Sequence, residues 1–259
     1  MEDFFRFCEK MGEDVTKAIC DLVGTQEGWE VIKMGADGTP TRRLDRLAEE
    51  CIVEALLEDQ QYQTLISEEI GRLDLGGPLG TIFLDPLDGT FNAAHGIPFY
   101  ALSIALAEAG VMQQGYVQDL ARGETFTAER SKGAFLNGGP IRVSHTSSLH
   151  TSAMSIYGKK FDPGHMMHLG QKIRRWRLLG ASALELCYVA SGRLDAFIDL
   201  RKTLRVTDAA AGMLICQEAG GAVSDFEGND LLFPDEVTIG KTLIASNGHL
   251  HQKIIEYLR

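Results

Sequence analysis

Residues 81–90, TIFLDPLDGT, join an apolar run that is typical of a buried strand to a turn that carries two aspartates. Asp and Gly are common turn formers, so Asp85 and Asp88 could belong to an ordinary solvated turn. A buried strand that ends in two carboxylates, however, holds negative charge at one fixed place. Such a charge needs either a cation or a reaction that uses it.

The residues between and after the two aspartates supply further groups suited to binding a cation and a phosphate. Pro86 fixes its own φ and keeps Asp85 extended, which leaves the Leu87 carbonyl available as a neutral ligand. Gly89 permits unusual backbone angles and close approach, so its amide and that of Thr90 can face a phosphate. The Thr90 hydroxyl can orient a water bound to a metal. This element predicts metal-assisted hydrolysis of a phosphate ester, in which two ions roughly 3.5–4 Å apart polarise the ester and activate the nucleophile.

The composition indicates a sizeable core and an acidic surface. With 259 residues, 44% of them hydrophobic, the chain is long enough for one large domain or two packed lobes. The net charge of -11 argues against a nucleic-acid-binding protein that works through general electrostatics. The basic cluster KIRRWR, at residues 172–177, is interpreted as a solvated face. No run approaches the ~18 apolar residues of a membrane span, so we expect no membrane partner.

The cysteines and the first residues of the sequence indicate a reducing compartment. An odd, dispersed set of cysteines without a CxxC pair is typical of buried thiols in such a compartment. The five cysteines are Cys8, Cys20, Cys51, Cys187 and Cys216. The first residues, MEDFFRFCEKMGED, are acidic and amphipathic, unlike the basic start of a signal peptide. We therefore expect a cytoplasmic protein.

Hydrophobic periodicity predicts helices at the start of the chain and mainly antiparallel strands after them. Apolar residues at helical spacing over residues 2–23 predict an amphipathic helix that stops at Gly24, and a second helix is expected at residues 42–58. The segment MGADGTPTRRLD between them is typical of a loop. Residues 99–119 then predict a long hairpin that bends near Gly110.

From about residue 150 strands alternate with helices, which favours a layered α/β architecture. We expect an α/β (α+β) fold made of two packed lobes with a cleft between them. Residues 1–145 are expected to form an N-terminal α+β lobe that carries most of the metal ligands. Residues 146–259 are expected to form a C-terminal α/β lobe that carries the substrate pocket and the last metal ligand.

Further acids lie at the ends of other apolar elements or beside them, and each alone has an ordinary structural explanation. These acids are Asp37, Asp45, Glu68, Glu69 and Asp208. Asp208 suits a helix N-cap, Asp45 the first turn of a helix, and the two glutamates a solvated strand end. If they converge, their mutual repulsion raises their pKa values or demands a cation. Oxygen ligands without a His/Cys set favour Mg²⁺ over zinc.

These segments resemble the inositol monophosphatase family of Mg²⁺-dependent, lithium-sensitive phosphatases, whose superfamily includes fructose-1,6-bisphosphatases and nucleotide 3′-phosphatases. DPLDGT is highly specific, whereas SEE and the Asp208 helix are weak signals alone. The matching segments, in family order, are GADGTPTRRLDRLAEE, SEE, FLDPLDGTFN, RLLGASALELCYVASGRLDAFID and TDAAAGMLICQEAGG. The resemblance implies a layered αβαβα sandwich of the sugar phosphatase type, and a homodimer.

The resemblance also implies a metal site of two or three Mg²⁺ ions, for which Mn²⁺ can substitute. Glu68, Asp85 and Asp208 resemble the carboxylate ligands of this site. Asp88 resembles the residue that bridges to a second ion, and Leu87 the residue that contributes its carbonyl.

Four more residues resemble the family's catalytic accessories. Glu69 resembles the acid that holds a further, loosely bound metal or its water. Thr90 and Asp45 resemble the pair that orients the attacking water. The loop that contains Asp37 resembles the mobile loop that closes over a third ion.

The resemblance also implies which residues bind the substrate. Residues 88–90 (Asp88, Gly89 and Thr90) resemble the site of the ester phosphate, and the turn that ends at Ser182 faces substrate in the family. Arg177 precedes that turn. Arg201 stands where inositol-specific members have a glutamate, and a guanidinium there favours a second phosphate. The plainer interpretation is that Arg201 pairs with a surface acid.

Two positions depart from the family pattern. Ala93 stands where the family has an aromatic residue, and Thr207 where it has a tryptophan. Neither change removes a ligand, so both concern the shape of the substrate pocket rather than catalysis.

The leading hypothesis is a Mg²⁺-dependent phosphatase that hydrolyses fructose 1,6-bisphosphate and inositol 1-phosphate by attack of a metal-activated water. GADGTPT and the absence of long insertions look most like the archaeal branch, whose members often act on both substrates. A second hypothesis is a phosphatase of 3′-phosphoadenosine 5′-phosphate or NADP, for which no aromatic pair offers an adenine slot. A third is a regulatory binding protein that keeps the fold, although no ligand of the family is missing.

Overall fold

The computed structural model describes residues 2–157, 164–232 and 236–259. Within them the chain forms seven α-helices, two large sheets and one separate two-stranded hairpin. The helices are α1 (Glu2–Ile19), α2 (Arg43–Asp59), α3 (Thr90–Ala94), α4 (Gly164–Gly170), α5 (Ser182–Ala190), α6 (Val206–Glu218) and α7 (His251–Leu258). None of the helices in this part of the chain is long and apolar enough to cross a membrane.

Among the described residues, ten strands precede residue 145 and five follow it. The first ten are β1 (Val31–Met34), β2 (Pro40–Arg42), β3 (Tyr62–Ser67), β4 (Gly71–Asp74), β5 (Leu79–Asp88), β6 (Ala101–Glu108), β7 (Val111–Asp119), β8 (Glu124–Glu129), β9 (Gly133–Leu136) and β10 (Gly139–Pro140). The others are β11 (Ala153–Tyr157), β12 (Arg175–Arg177), β13 (Ala196–Leu204), β14 (Ala222–Ser224) and β15 (Lys241–Ser246).

The elements stack in five layers, as the expected αβαβα sandwich requires. The first sheet has eight strands in the order β10-β9-β8-β7-β6-β5-β3-β4, and the second has five in the order β12-β11-β13-β15-β14. Helices α5 and α6 lie between the sheets, α1 and α2 cover the outer face of the first sheet, and α4 and α7 cover that of the second. The central strands β5, β6 and β13 are therefore buried on both faces over most of their length.

Strand β5 shows why an unbroken apolar run precedes the aspartates. Ile82 and Leu84 pack towards α1 and α2, whereas Phe83 packs towards α5 and α6. A strand buried on both faces needs apolar side chains at successive positions rather than at alternate ones. The expected strand in TIFL is thus confirmed.

Two local expectations are corrected. The turn predicted at DPLDGT is a continuation of β5, which pairs with β6 as far as Asp88 and has an irregular register between Asp85 and Asp88. A bulge of this kind re-aims side chains at the end of a strand. The predicted loop between the first two helices contains the antiparallel hairpin β1–β2, with only residues 35–39 in its turn.

The boundary between lobes near residue 145 stays a prediction. The chain leaves the first sheet at Pro140 and enters the second at Ala153, which fits a division there. One hydrophobic core nevertheless includes side chains of both sheets together with α5 and α6. The middle layer therefore belongs to both halves.

Close packing inside the middle layer generates the first prediction. Gly212 of α6 faces α5, where an added Cβ would lie 2.7 Å from the Cβ of Leu186 and 3.2 Å from the Ala183 carbonyl oxygen. Alanine is the better helix former by about 1 kcal/mol, but overpacking costs about 1–3 kcal/mol. We expect Gly212→Ala to lower the free energy of unfolding in urea titrations. The control Gln217→Ala, on the exposed side of α6, should shift it by less than about 0.5 kcal/mol; a Gly212→Ala protein as stable as wild type would contradict this packing.

Candidate active site

Three carboxylates from distant parts of the sequence meet at one end of the sheet. Oxygen atoms of Glu68, Asp85 and Asp208 all lie within 4.8 Å of one another. Strands β3 and β5 are parallel neighbours in which Ser67 is opposite Leu84, so the next residue of each is an acid at the same edge. Helix α6 packs on β5 and brings the third carboxylate.

Burial makes this arrangement electrostatically costly without a cation. Burial, reinforced by Glu68, Asp88 and Asp208, raises the pKa of Asp85 well above its ordinary value. Burial likewise raises the pKa of Glu68, in spite of the opposing charge of Arg205. The donor set consists of carboxylate oxygens, which suits a hard divalent cation. The residues present therefore fit the metal centre that the sequence predicts.

Asp88 is the last residue of β5, and its carboxylate contacts the first turn of α5. Its Oδ2 accepts a hydrogen bond of 2.7 Å from the Ala183 amide, and the Ser182 amide contributes a second interaction. A helix N-terminus stabilises negative charge, but burial and the nearby Asp208 carboxylate outweigh it. The pKa of Asp88 is raised to about 8.

Gly89 allows the chain to turn sharply between Asp88 and α3. Its φ is 89°, in the left-handed region that side chains rarely adopt. An added Cβ would also lie 3.0 Å from the Cβ of Ala181 and 3.0 Å from the Phe99 carbonyl oxygen. Both the backbone angle and the space therefore require glycine here.

Thr90 and Asp45 form the pair that the sequence analysis expects. The Thr90 hydroxyl donates to Asp45 Oδ1 at 2.7 Å and lies 3.1 Å from the Leu87 carbonyl oxygen. Burial raises the pKa of Asp45 to about 6, against the opposing effect of the Thr90 hydrogen bond. Asp45 Oδ1 is therefore placed to accept a proton through the threonine hydroxyl.

Helices α2 and α6 hold their aspartates in the same way. Asp45 Oδ2 accepts the Arg42 amide at 2.8 Å, and Asp208 Oδ2 accepts the Arg205 amide at 3.0 Å. In both helices an arginine is the N-cap residue and the aspartate is the third helical residue. The expectation that Asp208 is the N-cap of its helix is therefore wrong. Asp45 lies in the first turn of its helix, as expected.

Glu69 and Asp37 approach the cluster from the β1–β2 hairpin side. Glu69 accepts a hydrogen bond from the Thr41 hydroxyl, and burial raises its pKa to about 7. Asp37 Oδ1 accepts the Thr39 amide at 2.8 Å, and the Ala36 amide donates to the Glu69 carbonyl at 3.1 Å. The hairpin turn is thus fastened beside the acids.

Sequence reasoning missed Arg205, which lies inside the acid cluster. Its guanidinium pairs with Glu68 at 2.6 Å, with Asp208 at 3.0 Å and with Asp37. Burial opposes its charge, but the carboxylates of Asp208 and Glu68 outweigh burial and raise its pKa. The available signal was the repeated Arg-x-x-Asp spacing at residues 42–45 and 205–208.

A cavity of about 420 Å³ opens beside these residues. Its lining includes Asp88, Ser182 and Arg201, as the sequence analysis expects of substrate-binding residues. Arg201 pairs with Asp199 at 2.6 Å and lies 4.3 Å above the Tyr157 ring. Its partner is a buried acid, so the surface pairing considered from the sequence is wrong.

Two other arginines lie away from this cavity. Arg177 is exposed on β12, donates to the Trp176 carbonyl, and is not among the cavity-lining side chains of the described residues. Arg193 pairs with Glu124 at 2.5 Å and stacks on Tyr188. The substrate role expected of Arg177 stays a prediction that this geometry does not support.

The raised acid pKa values predict how the stability of the metal-free protein depends on pH. Asp45, Glu69 and Asp88 keep protons in the folded state that the unfolded chain has already lost, so stability falls as pH rises from about 4, where the unfolded chain loses these protons, to about 8, where the last of the three groups ionises in the folded protein. In chelator, the melting temperature should fall between about pH 4.5 and about pH 8 and level off above that. Asp88→Asn removes the group with the highest of these pKa values, so its melting temperature should fall less steeply with pH. Parallel plots of melting temperature against pH for the two proteins would contradict the raised pKa of Asp88.

Comparisons with known proteins agree with the fold. The family model described as "Inositol monophosphatase family" matches residues 5–259. A fructose-1,6-bisphosphatase/inositol-1-monophosphatase of Methanothermobacter thermautotrophicus is 43% identical, over 96% of this chain and 94% of the relative. A bifunctional NADP phosphatase/NAD kinase of Methanococcus maripaludis is 36% identical over 98% of this chain, which spans only 49% of that relative.

A solved structure has the same architecture. It is a Pyrococcus horikoshii protein described as having similarities to inositol-1 monophosphatase, with a TM-score of 0.87 and 32% identity. The alignment covers 99% of this chain and 97% of the other. The chain belongs to the inositol monophosphatase family.

Proposed function

We propose that this protein is a phosphatase that hydrolyses phosphate monoesters of small sugars and polyols, chiefly fructose 1,6-bisphosphate and inositol 1-phosphate. The observation that carries the proposal is the convergence of Glu68, Asp85 and Asp208 within 4.8 Å beside a cavity. The name of the Methanothermobacter relative, at 43% identity, supports this pair of substrates.

Different residues of the site have different roles in the proposed reaction. The chemistry that bound divalent ions supply here is polarisation of the ester and a more acidic water. Asp45 holds the Thr90 hydroxyl so that its oxygen can accept a hydrogen bond from the attacking water and pass a proton towards Asp45. The amides of Gly89 and Thr90 lie at the start of α3, where they lack partners within the helix and can face a phosphate.

Oxygen-only coordination supports Mg²⁺ as the working ion, with Mn²⁺ as a substitute. Glu68, Asp85, Asp88, Asp208 and the Leu87 carbonyl would hold two ions. Lithium inhibition, a homodimer and a cytoplasmic location are proposed on the strength of the family resemblance.

Arg201 is proposed to bind the second phosphate of a bisphosphate. Asp199 accepts hydrogen bonds from the Nε and Nη2 atoms of the guanidinium, and the guanidinium stacks on the Tyr157 ring. The side chain is therefore held rigidly with its remaining edge available at the cavity, and a fixed guanidinium binds phosphate well. Ser182, which lines the same cavity as Asp88 and Arg201, would contact the same substrate.

NADP is a second candidate substrate, because two bifunctional NADP phosphatase/NAD kinases are 36% and 34% identical over nearly the whole of this chain. A panel of NADP, 3′-phosphoadenosine 5′-phosphate, inositol 1-phosphate and fructose 1,6-bisphosphate decides between the two proposals. The third hypothesis, a regulatory binding protein without activity, loses support because no family ligand is missing.

Asp88→Asn tests the metal assignment. The amide keeps the shape but loses the charge, so phosphate release with Mg²⁺ should fall by more than about 100-fold. Asp21→Asn, which changes the same charge on the exposed surface, should retain activity. Full turnover by the Asp88→Asn protein in a phosphate-release assay would remove Asp88 from the metal site.

Arg201→Gln and Arg177→Gln form a matched pair that tests substrate selectivity. Loss of one charge-assisted interaction in the cavity should lower kcat/KM for fructose 1,6-bisphosphate by about 10-fold to 100-fold relative to inositol 1-phosphate. We expect this from Arg201→Gln only. If Arg177→Gln shows this loss and Arg201→Gln leaves selectivity unchanged, Arg177 rather than Arg201 binds the second phosphate. Melting curves check that both variants fold.

A further inference from the structure

Arg205 places a positive charge inside the cluster of acids that the proposed function assigns to divalent ions. Its Nη1 contacts Glu68 at 2.6 Å and also pairs with Asp37. Its Nη2 and Nε contact the two oxygens of Asp208 at 3.0 Å and 3.2 Å. One guanidinium therefore joins three carboxylates from the β1–β2 turn, the end of β3 and the start of α6.

Among the ion pairs of residues 2–157, 164–232 and 236–259, all that involve Asp37, Glu68 or Asp208 have Arg205 as the cation. The neighbouring Arg201 is committed to Asp199 instead. Like charges gathered in a poorly solvated place repel one another strongly unless a cation lies between them. Arg205 thus provides the neutralisation that would otherwise depend on metal ions.

We propose that Arg205 is an internal counter-cation of the metal site, which neutralises Glu68, Asp208 and Asp37 in the metal-free protein and is displaced from Glu68 and Asp208 when these carboxylates bind an ion. The inference rests on the proposed function, because it takes these carboxylates to be metal ligands. Metal binding is then an exchange of one cation for another at a preformed site.

The side chain and its place in the fold suit this role. A guanidinium presents five N–H donors in a planar fork, so it can serve several carboxylates at once, which a lysine cannot do in the same geometry. The backbone of Arg205 is fixed as the N-cap of α6. The side chain can therefore swing away from the acids without any change in the helix that positions Asp208.

The exchange has two measurable consequences. Removing the guanidinium leaves the acids unneutralised, so the metal-free protein becomes less stable. It also removes the competitor, so a divalent ion binds more tightly. A group that merely packs beside the site would produce the first effect without the second.

The test compares Arg205→Met with Arg201→Met on chelator-stripped protein, with Mn²⁺ binding measured by calorimetry and stability by thermal melting. We expect Arg205→Met to melt at a lower temperature without metal and to bind Mn²⁺ about tenfold more tightly than wild type. Arg201→Met removes a positive charge from the same cavity but not from the cluster, so it controls for general electrostatics and should leave the Mn²⁺ affinity within about twofold of wild type.

Two further measurements cover variants that fold poorly. Arg205→Lys keeps the charge but loses the fork, so its Mn²⁺ affinity should lie between those of wild type and Arg205→Met. A crystal structure of the wild-type protein with Mn²⁺ should show the guanidinium beyond 4 Å of the oxygens of Glu68 and Asp208.

Unchanged or weaker Mn²⁺ binding by Arg205→Met and Arg205→Lys would overturn the inference, as would a Mn²⁺ complex in which Arg205 still pairs with Glu68 and Asp208. In either case wild-type turnover with Mg²⁺ would leave the proposed function intact. Absence of Mn²⁺ binding in the wild-type protein would overturn both.

Discussion

The register between the parallel strands β3 and β5 determines where two of the three clustered carboxylates lie. Ser67 of β3 is opposite Leu84 of β5, so Glu68 and Asp85 lie next to each other at the point where β3 ends. Both strands are buried on both faces, and a shift of one residue would exchange the side chains that face the two helical layers. The hydrophobic core therefore opposes the separation that repulsion between the carboxylates would favour.

Helix starts complete the arrangement by fixing acids through backbone hydrogen bonds. Asp45 and Asp208 each accept the amide of the arginine that begins their helix, and Asp88 accepts amides at the start of α5. These bonds position the carboxylates before any ion binds. The cost of burying these acids near one another appears as raised pKa values of Asp88, Glu69 and Asp45 and as the ion pairs of Arg205. The site is thus preorganised for cations by the same contacts that begin three helices.

Local patterns predict much of this structure because they depend on short stretches of chain. The hairpin that bends near Gly110 and the two N-terminal helices follow from periodicity, and the strand before Asp85 follows from its apolar run. The β5 bulge, the β1–β2 hairpin and the pairing of Arg201 with a buried acid were not predicted. These three features depend on neighbouring strands or on burial, which a single segment does not contain.

The sequence by itself determined the chemistry that is available: a short segment with two aspartates, a carbonyl, a glycine and a threonine, and a set of acids without metal-binding histidines or cysteines. Only the tertiary structure decided that Glu68, Asp85 and Asp208 share one site, that Thr90 donates to Asp45, and that Arg205 rather than Arg177 lies beside the acids. The reason is physical. Residue types set which interactions are possible, whereas charge–charge energies depend on separation and burial, and both arise only when the layers pack together.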